Sequence, residues 1–174
     1  DYQRALLPWR TVYENVSLAL EAARIPRSER RDRIESMLEL VGLPNHARKY
    51  PSQLSGGMQQ RLQIARCLAQ EPSILLMDEP FGALDAMTRS VLQDELLRIQ
   101  AQRGITVLFV THDLDEALYL GKQVAALQAN PGRLGRLVDV GLPYPRDQLS
   151  TKEDPTFLHM RRELFNLTHD GHQG

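Results

Sequence analysis

Residues 54–61 read Leu54-Ser55-Gly56-Gly57-Met58-Gln59-Gln60-Arg61, and residues 74–80 read Ile74-Leu75-Leu76-Met77-Asp78-Glu79-Pro80. The first run places two glycines after a serine at the predicted start of a helix, where free backbone N–H groups suit an anion such as a terminal phosphate. The second run is a short apolar segment, predicted to be a strand buried on both faces, that ends in two carboxylates. Carboxylates at the exposed end of a strand suit Mg²⁺ coordination and activation of water. The two runs together predict a site for a phosphate and its metal.

Composition narrows the class of protein. The chain has 174 residues, enough for about one domain with a core of its own. Its net charge of -1 argues against a nucleic-acid binder held by bulk electrostatics. A single cysteine, Cys67, excludes an internal disulfide and fits a reducing compartment. No run approaches the roughly 18 apolar residues of a spanning helix, so we expect any membrane association to go through a partner.

The hydrophobic periodicity predicts an α/β chain. Helices are predicted over residues 11–24, 28–42, 55–69, 86–102, 113–120 and 155–167, and strands over residues 74–77, 106–110, 124–128 and 134–140. The strand–helix–strand order between residues 74 and 110 predicts a parallel pair with a right-handed crossover. Asn130-Pro131-Gly132 predicts the turn between the last two strands.

The chain contains four short motifs in a fixed order. They are Leu54-Ser55-Gly56-Gly57-Met58, the run from Ile74 to Glu79, Leu84-Asp85, and Thr111-His112-Asp113. In this order they resemble the signature turn, Walker B strand, D-loop and switch histidine of ATP-binding-cassette (ABC) ATPases, with Met58 in place of the usual glutamine. Residues 6–16, together with Pro131-Gly132-Arg133 and residues 142–146, resemble the branch that serves nitrate, sulfonate and taurine importers.

The resemblance implies a fold and a division of the chain. The fold is a partial P-loop NTPase fold of the α/β class, with a parallel sheet core and an inserted α-helical subdomain. We expect residues 1–72 to form the Q-loop and the helical subdomain with the signature motif. Residues 73–142 then form the C-terminal part of the α/β core, and residues 143–174 a C-terminal loop, helix and tail.

The glycine-rich loop with lysine that cradles the other phosphates does not occur in residues 1–174. Gly121-Lys122 does not supply it, because residue 116 is Glu and residue 123 is Gln. In the family that loop lies upstream, on a central strand. We therefore expect a truncated importer ATPase whose strands leave apolar surface and an open edge, and which alone is marginally stable and inactive.

The resemblance also implies roles in hydrolysis. Glu79 polarises the attacking water, and His112 contacts the γ-phosphate as a polarising switch. Asp78 and Gln3 hold Mg²⁺, with Gln3 as the Q-loop glutamine. Taken singly, each motif has a simpler interpretation: the carboxylates end a strand in a polar turn, and a lone histidine is usually structural.

A second group of residues is implied to act across a subunit boundary. Ser55, Gly56, Gly57 and Gln59 bind the γ-phosphate of an ATP held by the other subunit, and Asp85 lies at the boundary. The simpler interpretations are N-caps, Ser55 for the helix that follows it and Asp85 for the helix from residue 86. Trp9 stays open between an interface anchor and packing inside the helical subdomain.

The function expected from the resemblance is the ATP-hydrolysing subunit of an ABC importer for a small solute such as sulfonate, taurine or nitrate. Its cofactors are ATP and Mg²⁺. Its partners are a second copy of the ATPase subunit, an integral membrane permease and, indirectly, a solute-binding protein, but no nucleic acid. Its place is cytoplasmic, on the inner face of the cell membrane. Two alternatives are a soluble ABC ATPase outside transport and a regulatory fragment that has lost hydrolysis.

Overall fold

The computed structural model describes residues 6–128 and 132–169. The described chain divides into two units. The first contains residues 6–76 and 80–108, and the second contains residues 77–79 and 109–169 apart from the gap. Within the described ranges, no helix combines the length and the apolar character needed to cross a membrane. The division into residues 1–72, 73–142 and 143–174 stays a prediction.

The secondary structure alternates between helices and strands. The helices are α1 (Val12–Ala22), α2 (Arg27–Leu40), α3 (Gly56–Ala69), α4 (Ala86–Arg103), α5 (Leu114–Leu120), α6 (Ser150–Glu153) and α7 (Pro155–His169). The strands are β1 (Ile74–Asp78), β2 (Thr106–Val110), β3 (Gln123–Gln128) and β4 (Arg133–Asp139). Every element predicted from the sequence is present with ends shifted by a few residues, whereas α6 was not predicted. The predicted turn at Asn130 and Pro131 lies outside the described residues.

In the first unit, helices α1, α2 and α3 pack together, with α3 contacting both of the others. Helix α1 begins in a capping box, in which the Thr11 hydroxyl accepts the Glu14 N–H and the Glu14 carboxylate accepts the Thr11 N–H. The side chains that form this small core are fully or almost fully buried: Val12, Val16, Leu20, Ile34, Leu38, Leu62 and Ala65. Burying them stabilises the helical subdomain by the hydrophobic effect.

Strands β1 and β2 pair in a two-stranded sheet. In the first unit the Thr106 N–H donates to the Ser73 carbonyl at 2.9 Å, and in the second the Glu79 N–H donates to the Val110 carbonyl at 2.9 Å. Because the residue numbers rise together on both strands, the pair is parallel, as the strand–helix–strand order predicts.

The expectation that β1 is buried on both faces is wrong. Leu75 and Met77 point into the core, but Ile74 is 65% exposed and Leu76 is 69% exposed. Alternate side chains of a strand point to opposite faces, and only one face of β1 is covered among the described residues. Leu108 of β2 is exposed as well. These exposed side chains leave apolar surface on β1 and β2 uncovered among the described residues.

In the second unit, β3 and β4 form an antiparallel hairpin with an irregularity between Ala126 and Leu127. Helix α7 packs against β3, α5 and α6. Its buried stripe consists of Phe157, Met160 and Leu164, at the spacing of one helix face. These contacts fix the position of α5, the helix that follows His112 and Asp113 in the chain.

The C-terminal end of α5 is closed by Arg146. Its guanidinium donates to the carbonyls of Leu118, Tyr119 and Gly121 at 2.7–2.9 Å and lies over the ring of Tyr144. A cation at a helix C-terminus satisfies carbonyls that have no partner inside the helix. Arg146 therefore fixes one end of α5 while the other end carries the candidate site.

Candidate functional site

The amino end of α3 is open to solvent. Ser55 is exposed, and its hydroxyl oxygen accepts the Met58 N–H at 3.3 Å. The N–H groups of Gly56 and Gly57 have no hydrogen-bond partner among the described residues. The hydroxyl hydrogen of Ser55 is left to donate, since the cap uses its oxygen as an acceptor. The N-cap interpretation of Ser55 therefore holds, and the same geometry leaves three donors for an anion.

The two glutamines of this helix are used differently. The Gln59 amide donates to the Pro51 carbonyl at 3.0 Å, so its side chain is turned back to the preceding turn. Its role at the γ-phosphate stays a prediction. The Gln60 side chain is almost fully buried, and its oxygen accepts the Ala83 N–H at 3.0 Å. Sequence reasoning missed Gln60, although a glutamine on the buried face of a helix is itself a signal of a polar contact.

The start of α3 packs tightly against the loop before α4. A Cβ added at Gly57 would lie 3.1 Å from the Ala83 carbonyl oxygen and 3.7 Å from the Leu84 side chain. In the same loop, the Asp85 carboxylate accepts the Thr88 N–H at 2.9 Å and so caps α4. Chiefly through this backbone hydrogen bond, the pKa of Asp85 is lowered. The N-cap interpretation of Asp85 therefore holds, and its place at a subunit boundary stays a prediction.

In the second unit, the residue that follows β1, Glu79, lies against His112. His112 Nδ1 lies 2.9 Å from Glu79 Oε1. The carboxylate raises the pKa of His112, first by hydrogen bonding and then by its charge. Both side chains are largely exposed, at 78% for His112 and 53% for Glu79. A carboxylate and an imidazole in contact on an accessible surface are a pair suited to proton transfer and to contact with a charged substrate.

The backbone at the strand tip is unusual. Glu79 has a φ of +44°, a left-handed conformation that few residues other than glycine adopt. Strain of this kind is concentrated at functional sites, where the surrounding structure holds it. Here the Glu79 N–H donates to the Val110 carbonyl at 2.9 Å, which holds the backbone in this conformation.

The donor set at the strand tip fits Mg²⁺. Asp78 is exposed at the end of β1, and its carboxylate has no hydrogen-bond or ion-pair partner among the described residues. Mg²⁺ is usually bound through one or two carboxylates together with water and substrate phosphates. Asp78 would hold the ion directly or through water. Gln3, the other predicted ligand, lies outside the described residues.

A second exposed feature lies before α1. Trp9 is 71% exposed, so it does not pack inside the helical subdomain. The turn that carries it is held by Asn15, which is fully buried. The Asn15 side chain accepts the Leu7 N–H at 2.9 Å and donates to the carbonyls of Leu7, Arg10 and Thr11 at 2.9–3.1 Å. Sequence reasoning missed Asn15, the polar residue on the apolar face of α1.

Comparison with known proteins identifies relatives of the chain. A family model described as "ABC transporter" matches residues 2–82. An uncharacterized ABC transporter ATP-binding protein of Methanocaldococcus jannaschii, MJ0412, is 49% identical over 97% of the chain and 61% of its own length. The nitrate import ATP-binding protein NrtC of Synechococcus elongatus is 48% identical over 94% of the chain and 25% of its own length. The chain thus spans about three fifths of one relative and a quarter of the other.

Structural comparison gives the same result. The dimeric structure of MJ0796, a bacterial ABC transporter cassette, matches 78% of the chain and 59% of its own length, with 37% identity and a TM-score of 0.71. The motifs, the fold and the relatives agree with one another, and the resemblance noted from the sequence is confirmed. The chain belongs to the family of ABC transporter ATPases.

Proposed function

We propose that the chain is the ATP-hydrolysing part of an ABC importer subunit that drives a small anion through a membrane permease. The observation that carries this proposal is the contact between Glu79 and His112 at the tip of β1. A base beside a switch histidine, next to an exposed Asp78 that has no partner in the described part of the chain, is the residue set that hydrolysis of a phosphoanhydride needs. A protein that had kept the fold but lost hydrolysis would have no requirement for this set.

Each residue has a role in the proposed reaction. Glu79 orients the attacking water and accepts its proton, and His112 contacts the γ-phosphate. Mg²⁺, when bound near Asp78, supplies positive charge to the phosphate oxygens. Catalysis is positioning together with charge stabilisation of in-line attack by water, without a covalent intermediate.

The open amino end of α3 has the complementary role in a second copy of the subunit. Ser55, Gly56 and Gly57 donate hydrogen bonds to the γ-phosphate of the ATP that the partner holds. Bound ATP then bridges two subunits and favours the closed dimer, and hydrolysis removes the bridge. Closure acts on a permease at the membrane's inner face, and the exposed Trp9 is a candidate anchor for that contact.

The transported solute is proposed from the relatives. NrtC and NrtD of Synechococcus elongatus are named nitrate import proteins, and CmpC of the same strain is named a bicarbonate transport protein. The segment from residue 6 to residue 16 also resembles importers of sulfonate and taurine. These solutes are small, and most of them are simple oxyanions. We therefore propose a small oxyanion, with nitrate to be tested first.

Hydrolysis is tested with Glu79→Gln in the protein made from its complete gene. The variant keeps the size of the side chain but removes the base, so we expect turnover to fall by at least ~100-fold while ATP affinity stays within a few fold. Glu39→Gln is the matched control, because Glu39 is exposed on α2 and belongs to none of the motifs, and it should behave as wild type. Unchanged turnover in Glu79→Gln contradicts the proposed base.

Transport is tested by isolating the protein from membranes of its own organism under gentle conditions. Recovery of an integral membrane permease, and loss of nitrate uptake when Glu79→Gln replaces the wild type, support the importer. Recovery with ribosomes or DNA instead would favour a soluble ABC ATPase outside transport. Loss of bicarbonate, sulfonate or taurine uptake alone would keep the importer and change the solute.

A further inference from the structure

The segment that carries His112 is held by a buried carboxylate of helix α5. The Thr111 hydroxyl donates to Glu116 Oε2 at 2.8 Å, and Glu116 is only 6% exposed. The same hydroxyl oxygen accepts the Asp113 N–H at 3.0 Å. The Thr111 side chain therefore links the residue before His112 both to Asp113, the residue after it, and to Glu116 of helix α5.

The helix itself is anchored at the same place. Asp113 caps α5 by accepting the N–H groups of Asp115 and Glu116 at 2.8 and 3.2 Å. A buried carboxylate costs free energy unless hydrogen bonds compensate for the water it loses, and the Thr111 hydroxyl is one donor that does so. With both neighbours fixed, the backbone of residue 112 has little freedom, and its ring is directed to Glu79 although most of that ring is in solvent.

We propose that Thr111 and Glu116 are positioning residues, which hold the imidazole of His112 against the carboxylate of Glu79 before substrate arrives. This inference rests on the proposed ATP hydrolysis. Neither residue touches the reacting atoms. The exposed His112 ring would otherwise adopt several rotamers, and positioning it in advance lowers the entropy lost when the γ-phosphate is contacted.

The contact between His112 and Glu79 predicts which ring nitrogen of His112 carries the proton, and this can be observed by spectroscopy. A carboxylate oxygen accepts hydrogen bonds, so a His112 ring that donates to Glu79 carries a proton on Nδ1. In neutral His112 this selects one tautomer. Loss of the Thr111–Glu116 hydrogen bond frees the backbone at residue 112, and we expect a mixture of the two tautomers instead.

The test uses Thr111→Val, which keeps the shape of the side chain but removes the hydroxyl. Thr111→Ser restores the hydroxyl and serves as the rescue. Thr106→Val, the same substitution at an exposed position of β2, is the matched control. Nitrogen-15 spectra of histidine-labelled protein without ATP report the tautomer, with the His112 signals assigned from His112→Gln.

We expect Thr111→Val to mix the tautomers of His112 and to lower kcat by about 10- to 100-fold, with KM for ATP within about 2-fold. Thr111→Ser and Thr106→Val should match the wild type in both measurements. A thermal unfolding curve shows whether Thr111→Val is folded. If it is not, Glu116→Ala is compared with Glu116→Gln, which keeps an acceptor oxygen for Thr111 and should retain the single tautomer.

The two proposals fail in different ways. An unchanged tautomer in Thr111→Val, or a changed tautomer with unchanged kcat, overturns the positioning role. A wild-type protein that shows the single tautomer but does not hydrolyse ATP overturns the proposed function, and the positioning role falls with it.

Discussion

The substitution Asn15→Ala should destabilise the first unit by removing every hydrogen bond that its side chain makes to the turn before α1. Two of the four partners keep a donor, because the Leu7 carbonyl also accepts the Arg10 N–H and the Thr11 carbonyl also accepts the Asn15 N–H. The Leu7 N–H and the Arg10 carbonyl lose their side-chain partner. Each unsatisfied group costs about 1–3 kcal/mol when buried. Since this turn is partly open to water, we expect a total of about 2–3 kcal/mol.

The assay is denaturant unfolding of the wild type and the variant in the same buffer, with the free energies compared through their midpoints and slopes. Ser17→Ala on the same helix is the control, because within residues 6–128 and 132–169 the Ser17 hydroxyl makes only a long contact of 3.5 Å, to exposed Glu21. We expect this control to change stability by less than about 0.5 kcal/mol. An equally small change in Asn15→Ala would refute the reasoning that this side chain holds the turn carrying Trp9.

Three further predictions concern the candidate site and the thiol. The pKa of His112 lies above its ordinary value and should fall in Glu79→Gln, as measured by NMR titration. The charged pair stabilises the fold fully below the ordinary pKa of histidine, and this stabilisation is lost as pH rises through the pKa of His112 in the folded protein. An unchanged pKa of His112 in Glu79→Gln would contradict the contact. Gln60→Ala leaves the Ala83 N–H without its side-chain acceptor. It should lower the free energy of unfolding by about 1–3 kcal/mol, whereas a difference inside measurement error would refute a structural role for Gln60. Burial raises the pKa of the Cys67 thiol, so alkylation near pH 8 should be slower than for a free cysteine and should speed up in denaturant, and fast labelling of the native protein would exclude this.

Much of the fold follows from patterns that are local in sequence. The apolar spacing of α3 and the capping residues Thr11, Asp85 and Asp113 locate helices because the interactions involved span three or four residues. The parallel pairing of β1 and β2 follows from connection rules. The covered faces of β1 could not be predicted this way, because an apolar run does not say how many layers pack against it.

The candidate site could be predicted where its residues belong to motifs in a fixed order, and not where a contact depends on the folded chain alone. The motif order places Glu79 and His112 at neighbouring strand ends, and they lie in contact. Asn15 and Gln60 lie inside quoted stretches of sequence, but neither they nor Glu116 had a predicted role. Their importance comes from burial and from hydrogen bonds whose partners only the folded chain brings near. Gln59 shows that a motif position alone does not determine a contact. Its amide donates to the Pro51 carbonyl, which the sequence did not predict.

The central claim is that the amino end of α3 and the Glu79–His112 pair act on one ATP from opposite subunits. It is tested by mixing two inactive variants of the complete protein, Gly56→Asp and Glu79→Gln, and measuring ATP hydrolysis by the purified heterodimer. In a site shared between subunits, one of the two composite sites then contains neither substitution. We predict about half the wild-type activity in the heterodimer and none in either homodimer. A heterodimer as inactive as its parents would contradict the claim.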